Sequence, residues 1–127
     1  MIKKTLCVIA LFLRLGGVAF AQSVPLKSIN LSGTIASTNT FQVVQGSNNA
    51  RNGCTIQNNS ADTQYVCFDP VSASCASCTK ATAVTLGPAA NGNSGQSASC
   101  SIAGTMVLKD VVCITGTTSD TFFANFQ

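Results

Sequence analysis

Beyond residue 22, the hydrophobic positions occur in short runs separated by polar turns, and no long run shows the 3.6-residue period of a helix. The runs are rich in Val, Ile, Thr and Phe and end at Gly, Asn, Ser or Pro, a pattern typical of β-strands joined by turns. This spacing predicts an all-β fold, a single small β-sandwich or barrel of about eight or nine short antiparallel strands. The predicted strands cover residues 29–35, 41–44, 54–58, 64–68, 83–86, 99–102, 106–108, 111–115 and 121–126.

The end of the chain shows the strand pattern most clearly. Phe122, Ala124 and Phe126 fall on one face of a strand, whereas Phe123 and Asn125 fall on the other. A run this apolar predicts an inner strand of a sheet instead of a loose tail. Between the two runs upstream of it, Lys109-Asp110 predicts a tight hairpin turn.

The first residues of the chain have the layout of a secretory signal. Two lysines are followed by an apolar run from Leu6 to Leu13, and the segment ends in Ala19-Phe20-Ala21, with small residues at the two positions that signal peptidase reads. The apolar run is well short of the roughly 20 residues needed to cross a bilayer. We therefore expect residues 1–21 to be a signal peptide cleaved before Gln22, residues 22–127 to be one secreted or periplasmic domain, and no membrane-spanning segment.

Removal of this signal changes the charge balance. Three of the seven basic residues lie in it, so the predicted mature chain keeps four basic residues against four aspartates. The remaining basic residues are scattered along the chain, whereas proteins that bind nucleic acid by neutralising phosphates cluster theirs. Nucleic acid is therefore not expected as a partner.

Six of the seven cysteines follow the signal, and an even number in an exported chain predicts a disulfide framework. Six cysteines allow 15 pairings, and the sequence alone does not choose among them. Local context ranks them, because two cysteines begin strand-like runs, two sit in the middle of strands and two share a Cys-Ala-Ser-Cys loop. Pairing like with like gives Cys54–Cys100, Cys67–Cys113 and Cys75–Cys78.

Catalytic groups are poorly represented. The chain has no histidine and no glutamate, so the Ser–His and Cys–His nucleophile arrangements are excluded. Ser77-Cys78-Thr79-Lys80 matches the serine–lysine motif of penicillin-recognising enzymes, but that motif needs a helix start and companion motifs that the sequence lacks. We interpret the match as coincidence and predict no enzyme activity.

The Cys75–Cys78 segment also has the spacing of a redox pair. Redox folds place the first cysteine at a helix start, whereas here a strand-like run follows, so a structural disulfide is the favoured interpretation. A zinc site would need two further ligands at suitable spacing. No metal and no cofactor are predicted.

Two sequons for N-glycosylation are present, Asn30-Leu31-Ser32 and Asn58-Asn59-Ser60. They matter only in a host that exports through a glycosylating pathway. Chance sequons are expected in a chain so rich in Asn and Ser.

The order of several motifs resembles a group of small, mostly uncharacterised β-proteins of bacteriophage and prophage genomes. The resemblance rests on residues 51–60 (RNGCTIQNNS), the strand Tyr65-Val66-Cys67-Phe68, the turn at Leu86-Gly87-Pro88 and the closing segments 111–116 and 123–124. It covers residues 32–127 and implies a virion-associated protein such as a capsid decoration, fibre or tail component. The chain departs from that group in its export signal and in Cys67 and Cys113.

These observations favour an exported, non-catalytic structural or surface-binding β domain whose partner is itself, another protein or a surface glycan. A first alternative is a subunit of an extracellular filament, in which segment 23–45 adds as a strand to a neighbour and Phe126 suits a terminal strand handed to a chaperone. Two strands of one closed sandwich are the competing interpretation of that segment. A second alternative is a small secreted enzyme or an inhibitor using the loop around Cys75–Cys78.

Overall fold

A computed structural model of the chain describes residues 27–47, 51–101 and 110–127, which form nine β-strands and no helix. The predicted all-β fold is confirmed. The predicted strand at 106–108, Lys109 of the predicted hairpin and the signal segment 1–21 lie outside the described residues. The strands are β1 (Ile29–Asn30), β2 (Gly33–Thr34), β3 (Gln42–Gln45), β4 (Gly53–Asn58), β5 (Gln64–Asp69), β6 (Val84–Leu86), β7 (Ser97–Ser101), β8 (Val111–Thr115) and β9 (Thr121–Phe126).

The nine strands form two antiparallel sheets. In the first sheet the order is β1-β9-β4-β7, and β2 also pairs with β9. In the second sheet the order is β3-β8-β5-β6. β9 therefore lies between β1 and β4, which confirms the expectation of an inner strand. The described part of segment 23–45 pairs with β9 and β8 of the same chain, the arrangement of a closed sandwich.

The predicted run at 29–35 is divided into β1 and β2 because side chains replace part of the strand pairing. The Asn30 side-chain oxygen accepts a hydrogen bond from the Ser32 N–H at 2.9 Å, which turns the backbone locally. The Ser32 hydroxyl then accepts from the Ala124 N–H at 3.0 Å, a donor that a regular ladder would give to a carbonyl. The segment thus stays attached to β9 across the interruption.

The main hydrophobic core lies between the two sheets. Alternate residues of the strands from β4 to β9 face it, as the period of two requires. On β9 the buried residues are Phe122, Ala124 and Phe126, so the predicted two-sided pattern of this strand is confirmed. The remaining buried members are Ile35, Cys54, Ile56, Val66, Leu86, Ala98, Cys100, Val112 and Ile114.

A second, smaller apolar cluster lies on the outer side of the second sheet. It consists of Cys67, Val111 and Cys113 from β5 and β8 together with Cys75 from residues 70–83, which we call the cystine loop. Phe41, Cys78 and Ala83 pack against it. Because the cystine loop covers this side, all five residues of β8 are buried, including those that face away from the main core.

The six cysteines after the signal form three disulfides. Cys54 and Cys100 face each other directly across β4 and β7 and are bonded, as predicted. The other two predicted pairs, Cys67–Cys113 and Cys75–Cys78, are wrong, because the observed bonds are Cys67–Cys78 and Cys75–Cys113.

The physical reason for the difference is the position of the cystine loop. Cys67 and Cys113 are register partners on β5 and β8, and both point outward into the smaller cluster. The loop lies over them, so each strand cysteine bonds to one loop cysteine, with Cα–Cα distances of 5.9 Å in both pairs. Similar local context identified which cysteines lie on strands but not which segments stack on each other.

Candidate binding surface

No described segment covers the outer side of the first sheet, whereas the cystine loop covers the outer side of the second. We call the uncovered side the open face and define it by the outward residues of β4, β7 and β9. Phe123 is the one aromatic residue among them, and it is half-buried. The others, apart from Gly53, carry hydroxyl or amide groups: Thr55, Gln57, Ser97, Ser99, Thr121 and Asn125.

The open face follows from strict alternation in the sequence. On β7 the serines Ser97 and Ser99 are exposed, whereas Ala98 and Cys100 between and after them are buried. A shift of register by one residue would bury the hydroxyls and expose the core residues, so the alternation fixes which side faces solvent.

Strand register places these side chains in rows. Thr55 lies directly opposite Ser99 on one side and Asn125 on the other, which makes a row across β7, β4 and β9. Gln57 lies opposite Ser97 and Phe123 in the next outward row. Neighbouring strands are about 4.8 Å apart, so each row places three side chains within reach of one ligand.

A groove with a volume of about 360 Å³ crosses this surface. The backbone of Cys54 and Cys100, whose side chains point into the core, contributes to its floor. Its other described lining residues are Asn52, Gly53, Thr55, Ser99, Phe123, Asn125 and Gln127.

Asn58, the last residue of β4, connects this strand to two neighbouring segments. Its side-chain NH₂ group lies 2.7 Å from the carbonyl oxygen of Asp62, 3.1 Å from that of Leu86 and 3.2 Å from that of Gly87. Its side-chain oxygen accepts from the Ser60 N–H at 2.8 Å. Because Asn58 is completely buried, these bonds are shielded from water and fix the turns on either side of it.

The burial of Asn58 distinguishes the two sequons. Asn58 is fully buried and its amide nitrogen is engaged by carbonyl oxygens, so the folded chain cannot present it to a glycosylating enzyme. Asn30 is exposed on β1. Of the two sequons, the folded domain therefore presents the first alone.

Arg51 supports the start of β4 from inside. Its guanidinium donates to the carbonyl oxygens of Asp110 at 3.1 Å and Gly46 at 2.9 Å, and it lies 5.2 Å from the centre of the Phe126 ring. Burial lowers the pKa of Arg51, and the Asp110 carboxylate opposes this effect. The guanidinium stays charged at neutral pH and acts as a buried brace between segments.

Asp69 anchors the cystine loop. Its carboxylate accepts hydrogen bonds from the N–H groups of Val71 and Ser72, both at 2.9 Å, and of Ser77 at 3.2 Å. A hydrogen bond from the Ser77 side chain and these backbone bonds lower the pKa of Asp69 to about 2, against the opposing effect of desolvation. Asp120 has a similar local role, accepting from the Thr117 N–H at 2.9 Å.

The two residues of the serine–lysine match hold the cystine loop. Ser77 donates to Asp69, and Lys80 donates to the Asn39 side-chain oxygen at 2.6 Å while its ammonium lies 4.8 Å from the centre of the Tyr65 ring.

The two cysteines of the possible redox pair bond to different strands and not to each other. Among the described residues, no group of three or more His, Cys, Asp or Glu side chains could hold a metal ion.

The chain was compared with known protein families, curated proteins and solved structures. It matches no protein-family model, and no curated protein or solved structure matches it significantly. Within the ranges that the structure describes, there is no helix long and apolar enough to cross a membrane. The phage-protein resemblance of the sequence therefore stays a prediction.

The sequence analysis did not predict the groove, although it placed Phe123 and Asn125 on one face of a strand and paired Cys54 with Cys100. The signal that could have found the groove residues is the alternation of small polar residues with Ala98 and Cys100 on β7, set beside the same period on β4 and β9. Their meeting in one row depends on strand pairing between residues more than 40 positions apart, which local patterns do not reveal.

Proposed function

We propose that the protein is an exported, non-catalytic β domain with a structural or surface-binding role, similar to virion-associated phage proteins that act by contact. Three disulfides suit an oxidising compartment outside the cytoplasm. The predicted signal peptide gives the chain a route to that compartment.

One observation carries this proposal: the chemically active side chains hold the fold, and the exposed sheet face offers hydrogen bonds. The six cysteines are bonded in pairs, and the carboxylates of Asp69 and Asp120 accept backbone hydrogen bonds. The open face presents hydroxyl and amide groups around one aromatic ring. Such a surface is suited to contact with another molecule.

The resemblance to phage proteins agrees with the structural roles of its motif. In residues 51–60, Arg51 braces the start of β4, Cys54 and Ile56 enter the main core, and Asn58 fixes the following turns. These roles explain why such a motif would accompany a fold. These buried roles do not identify the binding partner, which would contact the exposed surface.

The proposal is tested by following the protein in the organism that produces it. Cultures are separated into cytoplasm, soluble exported fraction, virions released by induction, and sheared surface filaments, and each fraction is analysed by mass spectrometry. We expect the chain to begin at Gln22, to carry no free thiols and to sediment with virions or surface material. The matched control is Ala19→Asp combined with Ala21→Asp, which removes the small residues that the peptidase reads and should keep the leader attached.

A chain found in the cytoplasm with its leader attached and its cysteines reduced would contradict the proposal. Recovery in sheared filaments instead of virions would favour the filament alternative. Turnover of a substrate by the pure protein, abolished by a single Ser or Asp substitution, would favour an enzyme.

A further inference from the structure

We propose that the groove on the open face binds a neutral polysaccharide, with the Phe123 ring as the stacking surface and the surrounding hydroxyl and amide groups as hydrogen-bond partners. This inference rests on the proposed surface-binding function and names the ligand class for it. The arguments concern the shape of the groove, its hydrogen-bonding groups, its aromatic ring and its lack of ionisable lining side chains.

The groove depends on a missing side chain at Gly53. A Cβ atom added there would lie 3.5 Å from the Cys100 carbonyl oxygen and 3.8 Å from the Gln127 side-chain oxygen, which are ordinary contact distances. The backbone therefore tolerates a larger residue at this position. A side chain would nevertheless occupy space that the groove now leaves open, so a larger residue at this position should block the ligand.

Hydrogen-bonding groups in the groove are available to a ligand. Within the described part of the chain, the Thr55 and Ser99 hydroxyls make no hydrogen bond to another protein group, and they lie opposite each other on neighbouring strands. Asn125 continues this row, and its side-chain oxygen accepts a hydrogen bond from Ser28. That bond orients the amide and leaves its NH₂ group to donate.

Phe123 provides the apolar part of the site. It lies on the outward side of β9 between polar rows and is half-buried, so one part of the ring packs on the sheet while another faces the groove. The face of an aromatic ring carries partial negative charge and attracts the slightly positive C–H groups of a sugar ring. A sugar unit has both apolar C–H groups and polar hydroxyls. A ring flanked by amides and hydroxyls therefore complements both.

The side chains that line the groove offer no ion pair to a charged ligand. None of the described residues that line it has an ionisable side chain, since its two cysteines are bonded to each other. An acidic glycan or a nucleic acid would gain no ion pair there and would lose hydration of its charges. Neutral sugars have the complementary chemistry, because their hydroxyl groups both donate and accept.

The test measures binding of the oxidised mature protein to an array of uncharged polysaccharides: dextran, mannan, galactomannan, xyloglucan and mixed-linkage β-glucan. Alginate and heparin represent acidic chains, and isothermal titration calorimetry follows for each polymer that gives a signal. We expect saturable binding to at least one uncharged polymer that changes less than twofold between 0.1 and 1 M NaCl, because no charge pair is screened.

Two substitutions should weaken this binding at least tenfold. Phe123→Thr removes the stacking surface while keeping a residue suited to strands, and Gly53→Thr fills the groove. The controls change an aromatic residue and a glycine elsewhere, Tyr65→Thr on the second sheet and Gly46→Thr in open space, and should alter binding less than twofold. Thr55→Val, which removes one hydroxyl at nearly constant volume, should weaken binding severalfold and serves if a larger change impairs folding.

The inference is overturned if no uncharged polymer of the array binds, if only alginate or heparin binds in a salt-sensitive way, or if the control variants lose binding equally. Self-association abolished by Phe123→Thr in sedimentation velocity would instead assign the face to a second copy of the chain. If wild type and Phe123→Thr are retained equally on virions or surface material, the surface-binding function stands and the groove is not its site.

Discussion

The two sheets have similar strands, but their outer sides are built in opposite ways. On the second sheet, the outward residues of β5 and β8 include Val111 and the bonded cysteines Cys67 and Cys113, and the cystine loop covers them. On the first sheet, the outward residues are Ser, Thr, Asn and Gln around one phenylalanine, and no described segment covers them.

The two sheets also differ in the number of disulfides that they need. Ordering a loop costs roughly 1–2 kcal/mol of backbone entropy per residue. Most side chains of the cystine loop are exposed and bury little apolar surface to offset this cost. Two of the three disulfides fasten the loop, whereas the third lies within the first sheet, whose outer side needs no cover.

Breaking a disulfide should have the largest effect. Replacing Cys75 and Cys113 by Ala is expected to lower the free energy of unfolding by about 4 kcal/mol, and replacing Cys67 and Cys78 by about 3 kcal/mol, because the first bond closes the longer loop. Urea denaturation of each double variant measures these losses. The matched control is the Cys54→Ala/Cys100→Ala variant, whose loss should also be about 4 kcal/mol but should leave the cystine loop protected from proteolysis.

The pairing itself can be verified before these variants are interpreted. Cleavage after Arg or Lys and before Asp, without reduction, should give one cluster of three fragments, residues 62–68, 69–80 and 110–119, joined by two disulfides. The rejected pairing would give 62–68 bonded to 110–119 and a separate 69–80 with an internal bond. Recovery of those two products would show that no disulfide attaches the cystine loop to β5 and β8. The comparison of the two sheets depends on that attachment.

Asp69 should make the covered side sensitive to acid. Its pKa of about 2 in the folded chain lies below the value of about 3.9 expected after unfolding. Its carboxylate therefore stabilises the fold fully above pH 4, and this contribution is lost as the pH falls toward 2. We expect Asp69→Asn to lower the melting temperature at pH 7 and the difference from wild type to shrink on acidification.

Melting curves between pH 7 and pH 2 measure this effect. Asp62→Asn, on an exposed turn, is the matched control for replacing one carboxylate by an amide. A difference between wild type and Asp69→Asn that stays constant down to pH 2 would show that the anchoring bonds do not depend on the charge of the carboxylate.

Local pattern was sufficient to predict most of the described strands, because each needs only alternation and bounding turn residues, but it did not predict the division of 29–35 into β1 and β2. It was also sufficient for Cys54–Cys100, since both cysteines begin short strand-like runs that pair in register. It was insufficient for the cystine loop, because the placement of residues 70–83 over β5 and β8 is a long-range contact. For the same reason the buried roles of Arg51 and Asn58 were not predicted, although both lie in the motif that carries the phage-protein resemblance.

The smallest effect is expected on the open face, where two neighbouring residues of β7 provide a matched pair. Ser99→Val adds apolar volume on the uncovered side and should change the free energy of unfolding by no more than about 0.5 kcal/mol. Ala98→Val adds volume in the main core and should destabilise by about 1–3 kcal/mol through overpacking. Urea denaturation of the two oxidised variants makes the comparison. Equal losses would mean that Ser99 is covered in the native protein, whereas a stable Ser99→Val variant with weakened glycan binding would separate the role of this face in recognition from any role in folding.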